Sequence, residues 1–438
     1  MKDDFYALTG RLERELRAGE VLLLELSAER SDFVRFNRGR VRQAGSVVQR
    51  FLSLRLVHAN RHAGATLALA GNGDDSDSVR AMLARLRELL PALPEDPWLA
   101  IAEEPRSTTS ERRGRLPAAQ TVVDAALGAA RGLDFVGFYA GGTMYRGFAN
   151  SLGQRNWHEV ESFDFDWSLH GEANRAVKTG YAGFDWDDSA FAAKVDAAAQ
   201  ELALLAASPR RIEPGEYRVF LAPRAIEELV GLLCWGGFSA RSRATKQSPL
   251  LRMEHGEALS EKVTLVENTA EGIAPGFQAD GFVKPASVTL LERGKLADAL
   301  VSPRSAKEYG LATNAANARE SPESIDLAPG KLDPHDALAA LDTGLYISTL
   351  WYLNYSDRAA GRITGMTRFA TFRVEGGRIV APLEPMRFDD TIYRMLGESL
   401  VDLTARREWL PDSSTYGERS SAAARLPGAL LRTLRFTL

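Results

Sequence analysis

Cysteine is nearly missing from this chain: Cys234 is the only one in 438 residues. That excludes an intrachain disulfide and a cysteine-built metal knuckle, and it fits a reducing compartment. Histidine is scarce as well, with six copies placed singly as His58, His62, His158, His170, His255 and His335. The nearest approach to a cluster, Glu254-His255-Gly256-Glu257, has the spacing of an exposed loop. No window reaches the roughly 18 consecutive apolar residues of a membrane span. Two acids, Asp3 and Asp4, stand where a signal peptide carries a basic segment, so a cytoplasmic protein with no membrane contact is expected. Positive charge is not in excess: the formal net charge is −4, which gives no global attraction to nucleic acid. P-loop, dinucleotide and Gly-x-Ser-x-Gly patterns are all absent, leaving ATP, NAD and serine-hydrolase chemistry without support.

What is present is an ordinary globular composition, 45% hydrophobic and 26% charged, on a chain long enough for two or three cores. Leu8, Leu12 and Leu16 mark an amphipathic first helix. Val21 to Leu26, Asp32 to Asn37, Arg50 to His58 and Gly64 to Leu69 read as strands of a meander. Asp74-Asp75-Ser76 then caps a helix with Met82, Leu83, Leu86, Leu89 and Leu90 on one face. Five prolines between Pro91 and Pro117 make 91–117 a surface linker.

The same order recurs. At an offset of 112 residues, Phe36, Val48, Phe51, His58 and Ala70-Gly71 match Phe148, Val160, Phe163, His170 and Ala182-Gly183. One insertion later, Asp74-Asp75-Ser76 matches Asp187-Asp188-Ser189. The N-terminal part, 1–208, thus reads as a duplicated meander-plus-helix unit, with copies at 20–92 and 132–207. His58 and His170 then sit in equivalent strands.

After Pro209 the pattern changes. Tyr217 to Leu221 is a strand and Arg224 to Leu233 a helix, with Ile226, Leu229, Val230 and Leu233 on one side. Hairpins follow: Ser287–Leu291 into Leu296–Val301, and Ala370–Glu375 through Gly376-Gly377 into Arg378–Pro382. The expected class is α+β, with 209–438 forming a largely antiparallel β C-terminal domain with a few helices.

Several blocks carry a family likeness. Gly344-Leu345-Tyr346-Ile347 leads through Leu353-Asn354-Tyr355 to Phe372-Arg373-Val374-Glu375-Gly376-Gly377-Arg378-Ile379 and the exit Ala381-Pro382-Leu383-Glu384-Pro385. Ala149-Asn150-Ser151-Leu152-Gly153, Ser302 to Lys307 with Gly310 to Ala315, and the unit Tyr217 to Leu233 are further blocks. In order and spacing the chain resembles the TldD/PmbA family, metalloprotease-related proteins of the peptidase U62 type.

The resemblance implies one of two chemical kinds. Catalytic members carry His-Glu-x-x-x-His on the helix after that strand, where two imidazoles reach one zinc and the Glu serves as base. The corresponding region here, Leu229 to Arg241, contains Cys234, Trp235, Gly236, Gly237, Phe238 and Ser239 but no histidine. Cys234 among apolar neighbours reads as a core thiol, and the second cysteine that zinc-bearing members use does not exist here. The resemblance therefore implies a zinc-less, PmbA/TldE-like pseudoenzyme subunit with no catalytic or metal residues of its own. Zinc is expected only in a TldD-like partner, and the pair, a dimer, is expected to carry out proteolysis of unstructured, extended peptides. Asn314, Tyr346, Asn354 and Tyr355, at strand ends in the family-like blocks, are the expected walls of the peptide cleft.

Other readings stay open. A cluster of Arg30, Arg35, Arg38, Arg40, Arg42, Arg50, Arg55 and Arg61 with Phe33, Phe36 and Phe51 resembles a nucleic-acid-binding sheet surface, although a solvated face or subunit contact is the simpler explanation. A non-enzymatic regulator acting through that face, an enzyme with unrecognised residues, and a homo-oligomeric shell are the alternatives. Asp164, Asp166, Asp185, Asp187 and Asp188 form an acidic patch in which Asp187 or Asp188 serves as a helix cap.

Overall fold

Strict alternation in Ser162-Phe163-Asp164-Phe165-Asp166-Trp167-Ser168-Leu169 puts aromatic side chains on one face of a strand and polar ones on the other. The long N-terminal sheet is built on this division. The computed structural model of the chain describes residues 1–72 and 74–437.

The first unit comprises α1 (Lys2–Glu13), β1 (Val21–Asn37), β2 (Arg40–His58), β3 (Arg61–Ala68) and α2 (Asp74–Leu89). A short β4 (Thr108–Arg112) precedes the second unit, α3 (Ala119–Ala129), β5 (Asp134–Asn150), β6 (Arg155–His170), β7 (Ala176–Gly183) and α4 (Asp188–Leu205). The same helix–meander–helix order thus occurs twice, and antiparallel pairing of β1 with β5 joins the two meanders into one sheet of order β3-β2-β1-β5-β6. Two strand expectations merge, since Val21–Leu26 and Asp32–Asn37 belong to the single strand β1. The stretch expected to be a linker, 91–117, supplies β4, which lies parallel to β6. His58 and His170 each close their strand but bond separately, to the Gly19 carbonyl and to Ser168 Oγ.

Asp187 caps α4 by accepting the Ala190 N–H at 2.8 Å. The side chain of Asp74, expected to help cap α2, lies outside the described residues. Its neighbour Asp75 accepts the backbone N–H groups of Ala70 at 2.8 Å and Gly71 at 2.7 Å.

Helices cover only one face of this sheet. At one end Leu22, Leu24 and Leu26 pack with Phe5 and Leu8 of α1 and Leu83 and Leu86 of α2. At the other, Phe135, Phe163, Phe165 and Trp167 pack with Val122 of α3 and Phe191 and Val195 of α4. Phe372 of the C-terminal half joins this second cluster, so the two halves share a core.

The C-terminal half runs β8 (Gly215–Leu221), α5 (Pro223–Cys234), α6 (Ala240–Ala244), β9 (Leu265–Glu267), β10 (Val288–Glu292), β11 (Lys295–Leu296), α7 (Pro303–Tyr309), β12 (Ser324–Leu327) and α8 (Ala337–Leu341). It ends with β13 (Gly344–Asp357), β14 (Arg362–Glu375), β15 (Arg378–Pro382), β16 (Arg387–Thr391), β17 (Leu400–Pro411) and β18 (Ala423–Phe436). Both expected hairpins form, as β10–β11 and β14–β15. Most strand pairs of this sheet are antiparallel, as expected, but the sheet is mixed: β8 pairs with β13, and β12 with β18, in parallel. Strands so distant in sequence are joined by long crossovers rather than hairpins, and a crossover permits parallel pairing. Pairing of β18 with both β16 and β8 closes the circuit β8-β13-β14-β16-β18.

Loops of the C-terminal half cover the polar face of the N-terminal sheet. Arg419, in the connection from β17 to β18, is 5% exposed. Its guanidinium donates to the Gly142 carbonyl at 3.2 Å and to Ser162 O and Oγ, each at 2.9 Å. Nearby Glu418 bonds Ser27 and lies 3.7 Å from Arg146. Gln49 donates to the Gly417 carbonyl at 2.7 Å. Replacing Arg419 with Ala strips the donor from buried acceptors on β5 and β6, at an expected cost of about 2–4 kcal/mol. Urea unfolding of Arg419→Ala should show the loss, and Arg419→Lys should recover little of it, since an ammonium lacks the planar fork. An unchanged midpoint would show that this connection does not clamp the sheet.

Candidate functional site

Helix α5 begins at Pro223, whose missing N–H suits a first turn, and buries Ile226, Leu229, Val230 and Leu233 against the C-terminal core. Its other side carries Arg224, Glu227, Glu228 and Gly231 into an open groove of about 550 Å³. The facing walls come from Pro322 to Ile325, Leu410 to Ser413 and Ala422 to Ala424, with Leu353 of β13 beside them.

The helix stops where the sequence places two glycines. Gly236 has φ +81°, and a Cβ on Gly237 would lie 2.3 Å from the Leu233 carbonyl oxygen. These glycines form a helix-ending turn, with the Gly237 N–H donating to Leu233 O at 2.9 Å. Trp235 is 62% exposed, with the Arg358 guanidinium 5.7 Å from its ring centre. Phe238 is fully buried. Ser239 caps α6 by accepting the Ser242 N–H at 3.0 Å.

One residue fastens this turn. Glu320, 1% exposed, accepts Ser239 Oγ at 2.6 Å and the Arg241 N–H at 2.8 Å through one oxygen. Its other oxygen accepts the N–H and hydroxyl of Ser302, both at 2.9 Å. The carboxylate therefore ties the N-termini of α6 and α7 together, just before the groove wall at Pro322. The sequence offers a faint signal for it in the two Ser caps, Ser239 and Ser302, which need a common acceptor.

A charged seam runs from the groove into the N-terminal sheet. Arg224 Nη2 lies 3.3 Å from Asp166 Oδ1 and Arg224 Nη1 lies 3.3 Å from Glu227 Oε2. Lys178 Nζ sits 3.0 Å from the other Asp166 oxygen. Gly180 makes room for this guanidinium, because a Cβ there would stand 2.4 Å from Arg224 Nη2. Burial pushes the Glu227 carboxyl up to about 7, with Arg224 opposing and Glu228 adding to the rise. Asp164 is likewise pushed up to about 7 by burial, against the pull of Arg224.

The expected site residues are not gathered in one place. Tyr355 packs toward α5, donating its hydroxyl to the Leu232 carbonyl at 3.0 Å. Asn354 beside it is exposed and accepts the Tyr355 N–H. Tyr346 lies elsewhere, its ring against Phe220 and its hydroxyl 3.4 Å from Glu201 Oε1. Asn314 holds Val301 N–H and the Ala299 carbonyl and borders a different pocket, one lined also by Glu103 and Lys284. Arg224, Glu227 and Glu228, which the sequence reading left as the outer face of a core helix, are the polar residues that line the groove. Four apolar positions at helical spacing imply that opposite face.

The donors along α5 do not suit a zinc ion. No histidine lines the groove, and Glu227 is committed to Arg224. Burial also raises the Cys234 thiol, disfavouring the thiolate that binds metals. Among the described residues no group of three or more His, Cys, Asp or Glu side chains is placed to hold a metal, and no helix is long and apolar enough to cross a membrane.

Comparison with known proteins places this architecture. The family described as the PmbA/TldA metallopeptidase C-terminal domain matches residues 214–437. TldE from Thermococcus kodakarensis superposes with a TM-score of 0.78 at 15% identity, covering 98% of each chain. A Thermotoga maritima protein described as a candidate modulator of a DNA gyrase gives 0.77 at 15% identity over 99% of this chain and 100% of its own. A similarly described Bacteroides thetaiotaomicron protein gives 0.75 at 15% identity over 99% and 97%. At such identity the likeness of these structures is one of fold. No curated protein matches the chain in sequence.

Glu320 allows a test through pH. Burial alone would raise its pKa, but the donors from Ser239, Ser305, Arg241 and Ser302 outweigh this and hold the carboxyl below its ordinary value. A depressed carboxyl contributes stability that is present above the unfolded pKa and is lost as pH falls through the folded one. Urea unfolding of wild type and Glu320→Gln should therefore differ most near neutrality and converge below roughly pH 4. A difference that does not change with pH would contradict an ionised Glu320.

Proposed function

The chain belongs to the PmbA/TldD metallopeptidase family, and we propose that within it this chain is a TldE-like subunit without a zinc site of its own. In this reading it assembles with a TldD-like, zinc-bearing subunit, and the pair encloses a chamber in which unstructured peptides are cut. The observation that carries the proposal is the donor set of the groove beside α5, where Glu227, Glu228 and Cys234 stand and no imidazole is present. The fold shared with TldE over nearly the whole chain supports it.

The part played by this chain is to complete the chamber, keep folded proteins out and hold an extended peptide. Strand addition is the means available. Among the described residues, on one side β13 pairs with β8 only through Leu345, Tyr346 and Ile347; from Thr349 onward its only strand partner is β14. Leu353, Asn354 and Tyr355 lie in that free stretch and are the proposed wall, while Tyr346 and Asn314 support strands farther away.

A second reading rests on the hairpin between β1 and β2. Arg35, Arg38, Arg40 and Arg42 are exposed there, and none makes an ion pair among the described residues. A regulator that binds an anionic partner would use this surface. Replacing Arg38, Arg40 and Arg42 with Ala should then abolish partner binding while peptide cleavage by the assembled pair continues.

Purification of the chain alone and together with a TldD-like subunit, with metal analysis and a chelator-sensitive peptide assay, tests the main proposal. The isolated chain should hold well under one zinc and cleave nothing, whereas the pair should be active. Stoichiometric zinc with cleavage by the chain alone would overturn it, and activity of a metal-free homo-oligomer would replace the pair by a shell.

A further inference from the structure

The groove beside α5 has unbalanced charge. Of the charged residues lining it, Lys178 and Arg224 are basic and Glu227, Glu228, Glu323 and Asp412 are acidic. Both bases are committed to Asp166, and Arg224 to Glu227 as well. Glu323 is paired with Lys284. Glu228 on α5 and Asp412 just past the end of β17 are left without an ion pair among the described residues, on two different walls of one groove. Both are exposed. Among the described residues the Asp412 side chain accepts only the Ser414 N–H, at 3.0 Å, and the Glu228 side chain makes no hydrogen bond. Although Glu228 reaches solvent, the groove walls partly desolvate its carboxyl and raise its pKa, with Lys178 and Arg224 only partly offsetting this. A cation bound in this groove would meet negative charge from either wall.

The rest of the groove suits the stem and backbone of an extended chain. Val230, Ile325, Leu353 and Leu410 provide an apolar floor, and Trp235 stands exposed at one side. A lysine or arginine offers an apolar stem ending in a cation, and Trp235 can face such a cation as it faces Arg358. We propose that this groove binds an extended peptide segment bearing a lysine or arginine, whose cationic group is drawn to Glu228 and Asp412. The inference rests on the peptide-cleft reading above and gives it a substrate class.

The test uses the full chain and a blocked, unstructured peptide with one central lysine, compared with its norleucine and glutamate counterparts, by calorimetric titration. The lysine peptide should bind about fivefold tighter than the norleucine peptide, with the advantage shrinking as salt is added. Glu228→Gln with Asp412→Asn should erase that advantage, and Glu228→Lys should shift preference toward the glutamate peptide. Equal binding of the lysine and norleucine peptides overturns the basic preference and leaves the cleft standing. A preference that survives both substitutions places the cation elsewhere and also overturns it. Binding that Trp235→Ala leaves unchanged overturns this placement of the peptide, and failure of all three peptides to bind overturns the inference together with the cleft.

Discussion

A guanidinium buried against the polar face of a β-sheet is the interaction on which this architecture turns. The alternation that gives β6 its aromatic side also gives it Ser162, Asp164 and Asp166 on the other, and β1 contributes Glu29 and Ser31 to the same surface. Helices occupy the apolar face, so the polar face needs a cover that brings donors with it. Arg419 brings them, binding acceptors on β5 and β6 at once. His158 is satisfied in the same way, between Ser110 Oγ and the Ile273 carbonyl, and burial pushes its pKa down to about 4. Because Arg419 and Ile273 come from the C-terminal half, the N-terminal sheet has no complete environment without it.

The same connection links stability to the groove. Asp412 and Arg419 belong to one loop between β17 and β18, so the residue that anchors the loop and the carboxylate it presents are only seven positions apart. On the opposite side Glu320 holds the end of α5 in register with α7, and Pro322 follows it directly. Both walls of the groove are thus fastened by buried charged residues whose hydrogen bonds are directional. That is an effective way to hold a site open, since apolar packing alone tolerates sliding.

Much of this was legible in the sequence. The hairpins through Gly294 and Gly376-Gly377 showed in their turn residues, whereas the paired Phe and Val positions do not mark equivalent places in the two meanders, since Phe36 packs against the helices and Phe148 joins Leu23 and Phe277 on the other face. The end of α5 was visible as two glycines but not as a turn, because only the closeness of Leu233 O to Gly237 reveals it. Parallel pairing of β8 with β13 was hidden, as no local pattern reports a partner more than a hundred residues away. The site was least legible. Glu227 and Glu228 look like the solvated back of a core helix until Leu410, Asp412 and Leu353 are brought opposite them, and Glu320 looks like one acid in a loop until two serine caps converge on it.

Carboxyl groups in these two regions respond to pH in opposite directions. Asp164, Glu227 and, on α4, Glu201 are each raised to about 7, chiefly by burial. A raised carboxyl keeps its proton longer in the folded chain than in the unfolded one, so its contribution is full below the unfolded pKa and is lost as pH rises through about 7. Glu320, lowered by its donors, contributes above the unfolded pKa and loses its effect in acid. The seam between sheet and α5 therefore weakens toward alkaline pH, and the joint between α6 and α7 weakens toward acid. The groove lies between the two, with one wall on each, so its shape is best held in the interval between them. Ionisation of Glu227 at the upper end of that interval completes its pair with Arg224, so Glu228 and Asp412 remain the carboxylates of the groove without an ion pair among the described residues.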